Sequence, residues 1–111
     1  MAEPTIVEVF GAGATQTATT ITIQKSSLTG LTATATNTAE SLFAGIYKNA
    51  SASLSQTNYN TNPDQSIVIV PGYDSVVYRT VNNVQTAFLQ TQMTTSFSKA
   101  QTSAGITPDS Y

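Results

Sequence analysis

The sequence predicts a β-rich α+β fold, a small antiparallel sheet or sandwich with one helix packed on it at about residues 38–54. Three observations indicate this fold: runs of β-branched residues near the amino terminus, one stretch with apolar residues at every fourth position, and further strand-type runs after residue 65. With 111 residues, the chain has the length of one ordinary domain. We therefore expect a single domain over residues 1–111, in which residues 1–4 and about 98–111 are extended arms.

Two amino-terminal strands are predicted on either side of a short Gly-Ala stretch. Thr5–Phe10 is rich in valine and isoleucine, and in Thr17–Gln24 isoleucine alternates with threonine. Such β-branched residues favour strands. Gly11 and Gly13, between the two runs, are typical of a turn that joins them.

One helix is predicted over Asn37–Leu54. Asn37 can cap its amino end, and Glu40, three residues later, can complete a capping box. Gly45 costs about 1 kcal/mol relative to alanine inside a helix, which indicates close packing on the backbone or a weaker helix. A predicted apolar stripe lines one face and is widened by two aromatic residues: Leu42, Ile46, Ala50 and Leu54, with Phe43 and Tyr47 beside them.

The second half of the chain predicts a loop followed by a meander of three antiparallel strands. The loop covers the polar, asparagine-rich segment Ser55–Gln65. A turn at Pro71–Gly72 ends the first strand, and Asn82–Asn83 is typical of a tight hairpin turn between the other two. The predicted strands are Ser66–Val70, Ser75–Val81 and Val84–Phe97, and in the last of them Ala87, Leu89, Met93 and Phe97 share a face.

The composition favours a protein that assembles. Charged residues make up 9% of the chain, against about 25% in a typical soluble domain. Their place is taken by 20 Thr, 12 Ser, 7 Asn and 8 Gln, which hydrogen-bond but repel little. Protein interfaces are likewise depleted in Lys, Glu and Asp. A monomer kept soluble by hydroxyl groups alone stays open as the alternative.

Charge and cysteine content exclude several classes of function. Four scattered cations among six acids give a net charge of −2, whereas a DNA-binding face needs clustered Lys and Arg. The chain has no cysteine, and therefore no disulfide framework or thiolate metal site. Its amino terminus lacks the basic start and apolar run of a secretory signal, and no stretch approaches the roughly 18 apolar residues of a membrane span. We expect no nucleic-acid partner, no membrane and synthesis in a cytoplasm.

The sequence offers no catalytic set. Neither His nor Cys is present, so the Ser-His-Asp and Cys-His arrangements are excluded. The Gly-Ala stretch lacks the third glycine of a dinucleotide fingerprint, where Gln16 stands, and the Gly-Lys-Ser/Thr of a P-loop. The six acids are dispersed along the chain, and the oxygen-rich run Asn60–Asp64 contains a proline and lacks the glutamate of a calcium loop. We expect no enzyme, cofactor or metal.

Three tyrosines are candidate partner contacts. Tyr59, Tyr73 and Tyr111 fall in the predicted loop, in a turn and at the last position, and tyrosine is enriched at interfaces. Tyr47 and Tyr78 fall in predicted elements, where packing explains them.

The chain as a whole resembles the small virion proteins of tailed bacteriophages. The resemblance lies in a charge-poor sequence rich in Thr, Ser, Asn and Gln that begins MAEPTIVEVFGAGATQTATTITI and ends AGITPDSY. The most similar group is the cement or decoration proteins that bind assembled capsids. The resemblance implies a β-rich module, present in many copies, that bridges major capsid proteins and reinforces the shell. It involves no single motif, so no residue role is transferred.

The resulting hypothesis is a structural virion protein of the capsid cement type. Its partners would be the major capsid protein and copies of itself in a homo-oligomer, and its location the virion, after synthesis in the host cytoplasm. Two alternatives stay open. One is a tail or neck component of the phage. The other is a carbohydrate- or surface-binding module, because Asn, Thr and Tyr can form a sugar site.

Overall fold

A computed structural model describes residues 2–99, 105–106 and 108–111. It has the α+β fold that the sequence predicts, with helices and two antiparallel sheets of two strands each among the described residues. The molecule is elongated, since its Cα radius of gyration is 16.8 Å and a compact domain of this length has about 13 Å. The helices are α1 (Ile6–Phe10), α2 (Ala39–Ser53) and α3 (Gln56–Thr61); the strands are β1 (Thr15–Gln16), β2 (Ile21–Thr22), β3 (Ile67–Val81) and β4 (Val84–Phe97); and 3₁₀ turns lie at Lys25–Ser27 and Pro108–Ser110.

The segment Thr5–Phe10, predicted as a strand, contains the helix α1. Thr5 caps this helix, because its hydroxyl accepts from the Glu8 N–H (3.2 Å) while its own N–H donates to the Glu8 carboxylate (3.1 Å). This reciprocal pair is a capping box, which satisfies two backbone donors at a helix start. The strand prediction was wrong because this local cap outweighs the strand preference of the β-branched residues.

The Gly-Ala stretch follows a helix and not a strand. Gly11 ends α1 with φ of +103°, and Gly13 has φ of +81°, conformations that glycine adopts most readily. The predicted turn is present at residues 12–13, but the prediction that it joins two strands is wrong because a helix precedes it. They connect α1 to the short ladder of β1 and β2.

The second predicted strand, Thr17–Gln24, is mostly irregular. Only β2 lies within it, and β2 pairs with β1 in a ladder of two exposed residues on each side. The Thr17 and Thr20 hydroxyls hydrogen-bond at 2.7 Å across the connecting turn. Threonine hydroxyls that bond locally offer the chain an alternative to a longer ladder, which explains why the strand prediction was wrong in extent.

The predicted helix over Asn37–Leu54 is confirmed by α2. Gly45 is buried in it, and a Cβ built there would lie 3.2 Å from Leu28 Cβ. The close-packing explanation of this glycine is therefore the right one, since Leu28 lies against the bare backbone of α2.

The cap of α2 differs from the prediction. Thr38 is the cap, and its hydroxyl accepts from the Ser41 N–H at 3.1 Å. The predicted capping box of Asn37 and Glu40 is wrong because Asn37 is used elsewhere: its Oδ1 accepts from the Thr34 N–H at 2.9 Å. Asn37 thus holds the loop before the helix and not the helix itself.

The segment Ser55–Gln65, predicted as a loop, contains α3. The Ser55 hydroxyl accepts from the Asn58 N–H (3.2 Å), and the Asn58 side-chain amide donates to the Ser53 carbonyl oxygen (2.8 Å). Because α3 is polar on all sides, it has no apolar periodicity by which it could be predicted. Side-chain capping forms this helix instead.

β3 and β4 form one long antiparallel hairpin, so the prediction of a three-stranded meander was wrong. The predicted strands Ser66–Val70 and Ser75–Val81 belong to the single strand β3, and Pro71–Gly72 does not end it. The register instead shifts between Pro71 and Asp74, which is a β-bulge, a position that tolerates proline.

Backbone geometry explains both special points of this hairpin. A Cβ at Gly72 would lie 2.6 Å from the Gln92 carbonyl oxygen of the facing strand, so the bulge requires glycine. At the turn, Asn82 and Asn83 have φ of 51° and 65°, the sign that a type I′ turn needs at both positions. The predicted turn and the predicted strand Val84–Phe97 are confirmed.

The apolar core is small. None of the described large side chains is fully buried. The buried Gln65 side chain connects the residue before α3 to the start of β3, because its amide donates to the Ser55 and Ile67 carbonyl oxygens at 3.2 and 2.8 Å. The buried apolar residues are Ala14, Leu28, Leu54, Val68 and Ile69.

The described parts of the predicted terminal arms contact the rest of the molecule. The Ala2 carbonyl oxygen accepts from the Asn62 amide at 2.8 Å. The ring of Tyr111 meets Phe97 edge-on, with 5.5 Å between centroids. Residues 1, 100–104 and 107 of these predicted arms lie outside the described residues.

Candidate interaction surface

Beyond the bulge, β3 and β4 continue as a two-stranded ladder that we call the distal hairpin (residues 74–91). In the described part of the chain no third strand pairs with it, so both of its edges are unpaired there. Its length is set by pairing from Asp74–Thr91 to Val81–Val84. A two-stranded hairpin is at best marginally stable in water by itself.

The pairing register places large apolar side chains on both faces of the distal hairpin. Residues paired across strands lie on the same face, and successive residues alternate. The first face, which we call the Leu89 face, carries Val76, Tyr78, Ala87 and Leu89; the second, the Phe88 face, carries Val77, Val81, Val84 and Phe88.

The Leu89 face is the more open of the two. Leu89 is 71% exposed, and Val76, its partner across the strands, is 58% exposed. On the other face the Arg79 guanidinium lies over the Phe88 ring, 5.6 Å from its centroid, and Phe88 is only 37% exposed. The guanidinium therefore shields the Phe88 face in part, while the Leu89 face has no such cover.

A groove of about 640 Å³ lies between α2 and the part of β4 around Thr91 and Met93. Thr91 and Met93 form its β4 wall, and since they follow Leu89 at intervals of two, they continue the Leu89 face. One polar pair, Asp74 and Thr91, lies on this face between Leu89 and Met93, so the apolar surface of the distal hairpin is separated from Met93 in the groove by that pair alone. The groove is lined by Phe43, Ala44, Tyr47, Lys48, Ser51, Thr91 and Met93.

Two aromatic residues shape the groove. Tyr47 is part-buried and its hydroxyl hydrogen-bonds the Thr95 hydroxyl, which fixes α2 against β4. The Phe43 ring lies 6.1 Å from the Tyr47 ring and is 68% exposed. Phe43, which was predicted to widen the apolar stripe of α2, therefore lies mostly in solvent.

A signal for the exposed position of Phe43 is present in the sequence. Phe43 and Tyr47 are each one residue after Leu42 and Ile46, and one residue is about 100° around a helix. They form a second stripe beside the first, which indicates a second neighbour for α2. The hairpin supplies that neighbour at Tyr47 but does not reach over Phe43.

The three candidate tyrosines do not form one site. Tyr73 is 83% exposed at the bulge, whereas Tyr59 is half-buried in α3. Tyr111 lies against Phe97, at the base of the hairpin. Among the three, Tyr73 has the exposure that a contact residue needs, and the apolar residues of the Leu89 face add a larger surface than the tyrosines alone indicate.

The accessible surface of the chain is 8099 Å². A folded monomer of 11.7 kDa is expected to have about 5,900 Å². The chain thus exposes roughly 2,200 Å² more than a compact monomer of its mass would. An elongated hairpin and a small core both increase the surface in this way.

The chemistry of the described residues is limited. No group of three or more Asp and Glu side chains comes together there in a way that could hold a metal ion. Thr5 lowers the pKa of the exposed Glu8 carboxyl by hydrogen bonds from its backbone N–H and from its side chain. No helix in the described ranges is long and apolar enough to span a membrane.

Comparisons of the chain with protein-family models, with curated proteins and with solved structures found no match. The function is therefore inferred from the surface of this chain.

Proposed function

We propose that this chain is a structural virion protein that acts as a capsid cement, binding major capsid proteins and stabilising the shell. The observation that carries the proposal is the excess surface of roughly 2,200 Å² over a compact monomer. A standard protein–protein interface buries about 1,200–2,000 Å² in total. Each partner contributes about 800 Å² to such an interface, so the excess on this one chain is enough for two to three contacts of standard size.

The chemistry of that surface supports assembly. The distal hairpin carries two charged residues, Asp74 and Arg79, and otherwise neutral polar and apolar ones. Interfaces are depleted in charge and enriched in aromatic residues and Met, and the Leu89 face and the groove offer Tyr78, Phe43 and Met93. A monomer without partners would leave this apolar surface in water.

A role on a shell agrees with the shape of the molecule. The eight residues from Asp74 to Val81 extend about 26 Å in a strand, so the distal hairpin can reach beyond the body to a neighbouring subunit. Many copies on one lattice gain avidity without strong single contacts. The resemblance of the sequence to phage cement proteins supports the same role.

The test uses particles of the phage whose genome encodes this chain. Particles made with and without the chain are compared by mass spectrometry and by the temperature at which a DNA-binding dye gains access to the genome. We expect the chain on the shell in many copies, and genome release at a lower temperature without it. Particles that contain the chain but release the genome at the same temperature contradict the cement role.

Two variants sharpen this test. Leu89→Asp places a charge on the Leu89 face, and Ala18→Asp places the same charge in the exposed turn between β1 and β2. We expect Leu89→Asp to reduce occupancy on particles and Ala18→Asp to leave it unchanged. If electron microscopy locates the chain on the tail or neck, the chain is a tail or neck component and not a capsid cement. Binding of the isolated chain to a glycan array would favour the carbohydrate-binding module.

A further inference from the structure

The two edges of the hairpin differ in their protection against pairing. The β3 edge carries Pro71, a bulge and two charged residues, and the Ile69 N–H is already bonded to the Leu54 carbonyl oxygen at 2.8 Å. Proline, bulges and charges are the devices by which proteins prevent strand addition at an edge. The β4 edge has none of them: its 14 residues include no proline, no glycine and no charged side chain.

The hydrogen-bonding groups on the β4 edge follow from the turn. In a two-residue hairpin the residues that flank the turn, here Val81 and Val84, form a hydrogen-bonded pair, and pairing then alternates. The backbone groups of Gln85, Ala87 and Leu89 consequently point away from β3. Within the described residues no strand accepts these groups.

We propose that the outer edge of β4 pairs antiparallel with the same edge of a second copy of this chain, about a two-fold axis near residues 87–90. The product is a four-stranded sheet in the order β3, β4, and then β4 and β3 of the other copy. The two Leu89 faces then lie on the same side of this sheet and form one continuous apolar surface. This pairing needs no capsid and is tested independently of the cement role.

A second copy is the partner that fits the charge pattern. A two-fold axis brings the residues beside it opposite their own counterparts, so that a charge on β4 near the axis would face the same charge, which is destabilising. All ten charged residues of the chain lie outside β4. A strand of this length without charge can pair with itself at no electrostatic cost.

The area sets the expected strength of this pairing. Full overlap of two 14-residue strands would give a contact about 46 Å long and 10 Å thick, or roughly 900 Å² counted over both copies. This area is an upper limit, because an axis near residues 87–90 pairs only part of each strand. Specific interfaces of stable complexes start at about 1,200 Å². We therefore expect a weak, concentration-dependent dimer that a lattice of many copies would reinforce.

Light scattering over a range of concentrations tests the dimer. The wild-type chain is expected to move towards twice its 11.7 kDa mass as its concentration rises to millimolar. Leu89→Lys should weaken dimerisation by about tenfold or more, because the added charges meet near the axis. Val76→Lys is the matched control, because Val76 lies on the same face and is the cross-strand partner of Leu89. In the dimer the two lysines at position 76 would lie about 14 Å apart, three strand spacings, and salt would screen their repulsion. This variant should change the dissociation constant by less than about twofold.

Disulfide cross-linking tests the register. Because the chain has no cysteine, each single-cysteine variant reports on one pair of positions. Directly opposite residues on antiparallel strands have Cα atoms about 4.5–5.5 Å apart, within disulfide range. Cross-linking should peak at one or two neighbouring positions on β4 and be absent at Ser75 and Val77 on β3. The β4 positions to scan are Thr86, Ala87, Phe88, Leu89, Gln90 and Thr91.

Two results overturn the inference. One is a wild-type chain that stays monomeric at millimolar concentration. The other is cross-linking that is as efficient from β3 as from β4, which would indicate contact through the faces. In both cases circular dichroism of each variant shows whether it is folded, and neither result bears on whether the chain is found on particles.

Discussion

Truncation of Leu28 to alanine tests whether the small core holds the body together. Leu28 is 3% exposed and lies against the backbone of α2 at Gly45. The change removes three carbon atoms, each worth about 0.8 kcal/mol of burial, and leaves a cavity that the helix backbone cannot fill. We expect the free energy of unfolding to fall by about 3 kcal/mol.

The matched control is Leu89→Ala, the same chemical change on the distal hairpin. Leu89 is 71% exposed, so that under a third of the transfer term is lost and no cavity forms. We expect a loss of about 0.7 kcal/mol. The roughly fourfold difference follows from burial and from the cavity left at Leu28, because both residues are leucine.

Urea unfolding at low micromolar concentration, followed by circular dichroism, measures both variants. The midpoint should shift while the slope stays constant. A loss of 3 kcal/mol is a large part of the 5–15 kcal/mol that holds a typical domain together. Equal losses for the two leucines would refute the reasoning, since Leu89 would then be buried in the isolated chain.

Three further predictions concern single contacts. The pKa of Glu8 lies below its usual 4.5, chiefly because of the Thr5 backbone N–H and then because of the Thr5 side chain. The stabilisation of α1 is therefore present above pH 4.5 and is lost as pH falls through the lower folded pKa, which NMR titration of the carboxyl measures. Thr5→Ala keeps the backbone N–H and removes the hydroxyl, so it should bring the pKa only part of the way back towards 4.5. Tyr47→Phe and Thr95→Val should each lower the free energy of unfolding by about 1 kcal/mol, and the double variant should lower it by little more, because both changes remove the same hydrogen bond. Urea unfolding of the double-mutant cycle measures this coupling. Gly72→Ala should lower the free energy of unfolding by about 1–3 kcal/mol, since the alanine Cβ would meet the backbone of the facing strand. An unchanged thermal midpoint would contradict the bulge geometry.

The elements that the sequence predicts correctly depend on local signals without a competitor. The Asn82–Asn83 turn needs positive φ at two positions, and asparagine tolerates it. The helix α2 has an apolar stripe at regular intervals, and Val84–Phe97 is a strand with the predicted bounds. These features are decided within a few residues of chain.

The wrong predictions arise where two local signals conflict. Thr5–Phe10 has both strand-type residues and a Thr-x-x-Glu cap, and the cap prevails. Pro71–Gly72 has the composition of a turn, but the pairing of β3 with β4 continues across it as a bulge. Ser55 starts a polar helix that no apolar pattern announces. In each case a side-chain cap or the cross-strand pairing outweighs the pattern on which the prediction was based.

The candidate surface is partly visible in the sequence. The alternation of Ala87, Leu89, Met93 and Phe97 predicts a shared face of β4, and the pairing register agrees with it. That this face is exposed could not be predicted, because the predicted helix was expected to pack on the sheet, whereas α2 contacts β4 at Thr95 and leaves Leu89 71% exposed. The groove depends on the distance between α2 and β4, which no local pattern encodes.

The distal hairpin can differ in length without any change at the bulge or at the turn, because the pairing between them is regular. The bulge is fixed by Pro71 and Gly72, and the turn by two asparagines, while the ladder between them repeats without special residues. Inserting two residues into each strand would lengthen the hairpin by about 7 Å. All the original side chains would stay on their faces, because the side-chain repeat of a strand is two residues. Insertions and deletions of this kind would change the reach of the distal hairpin without altering the packed body.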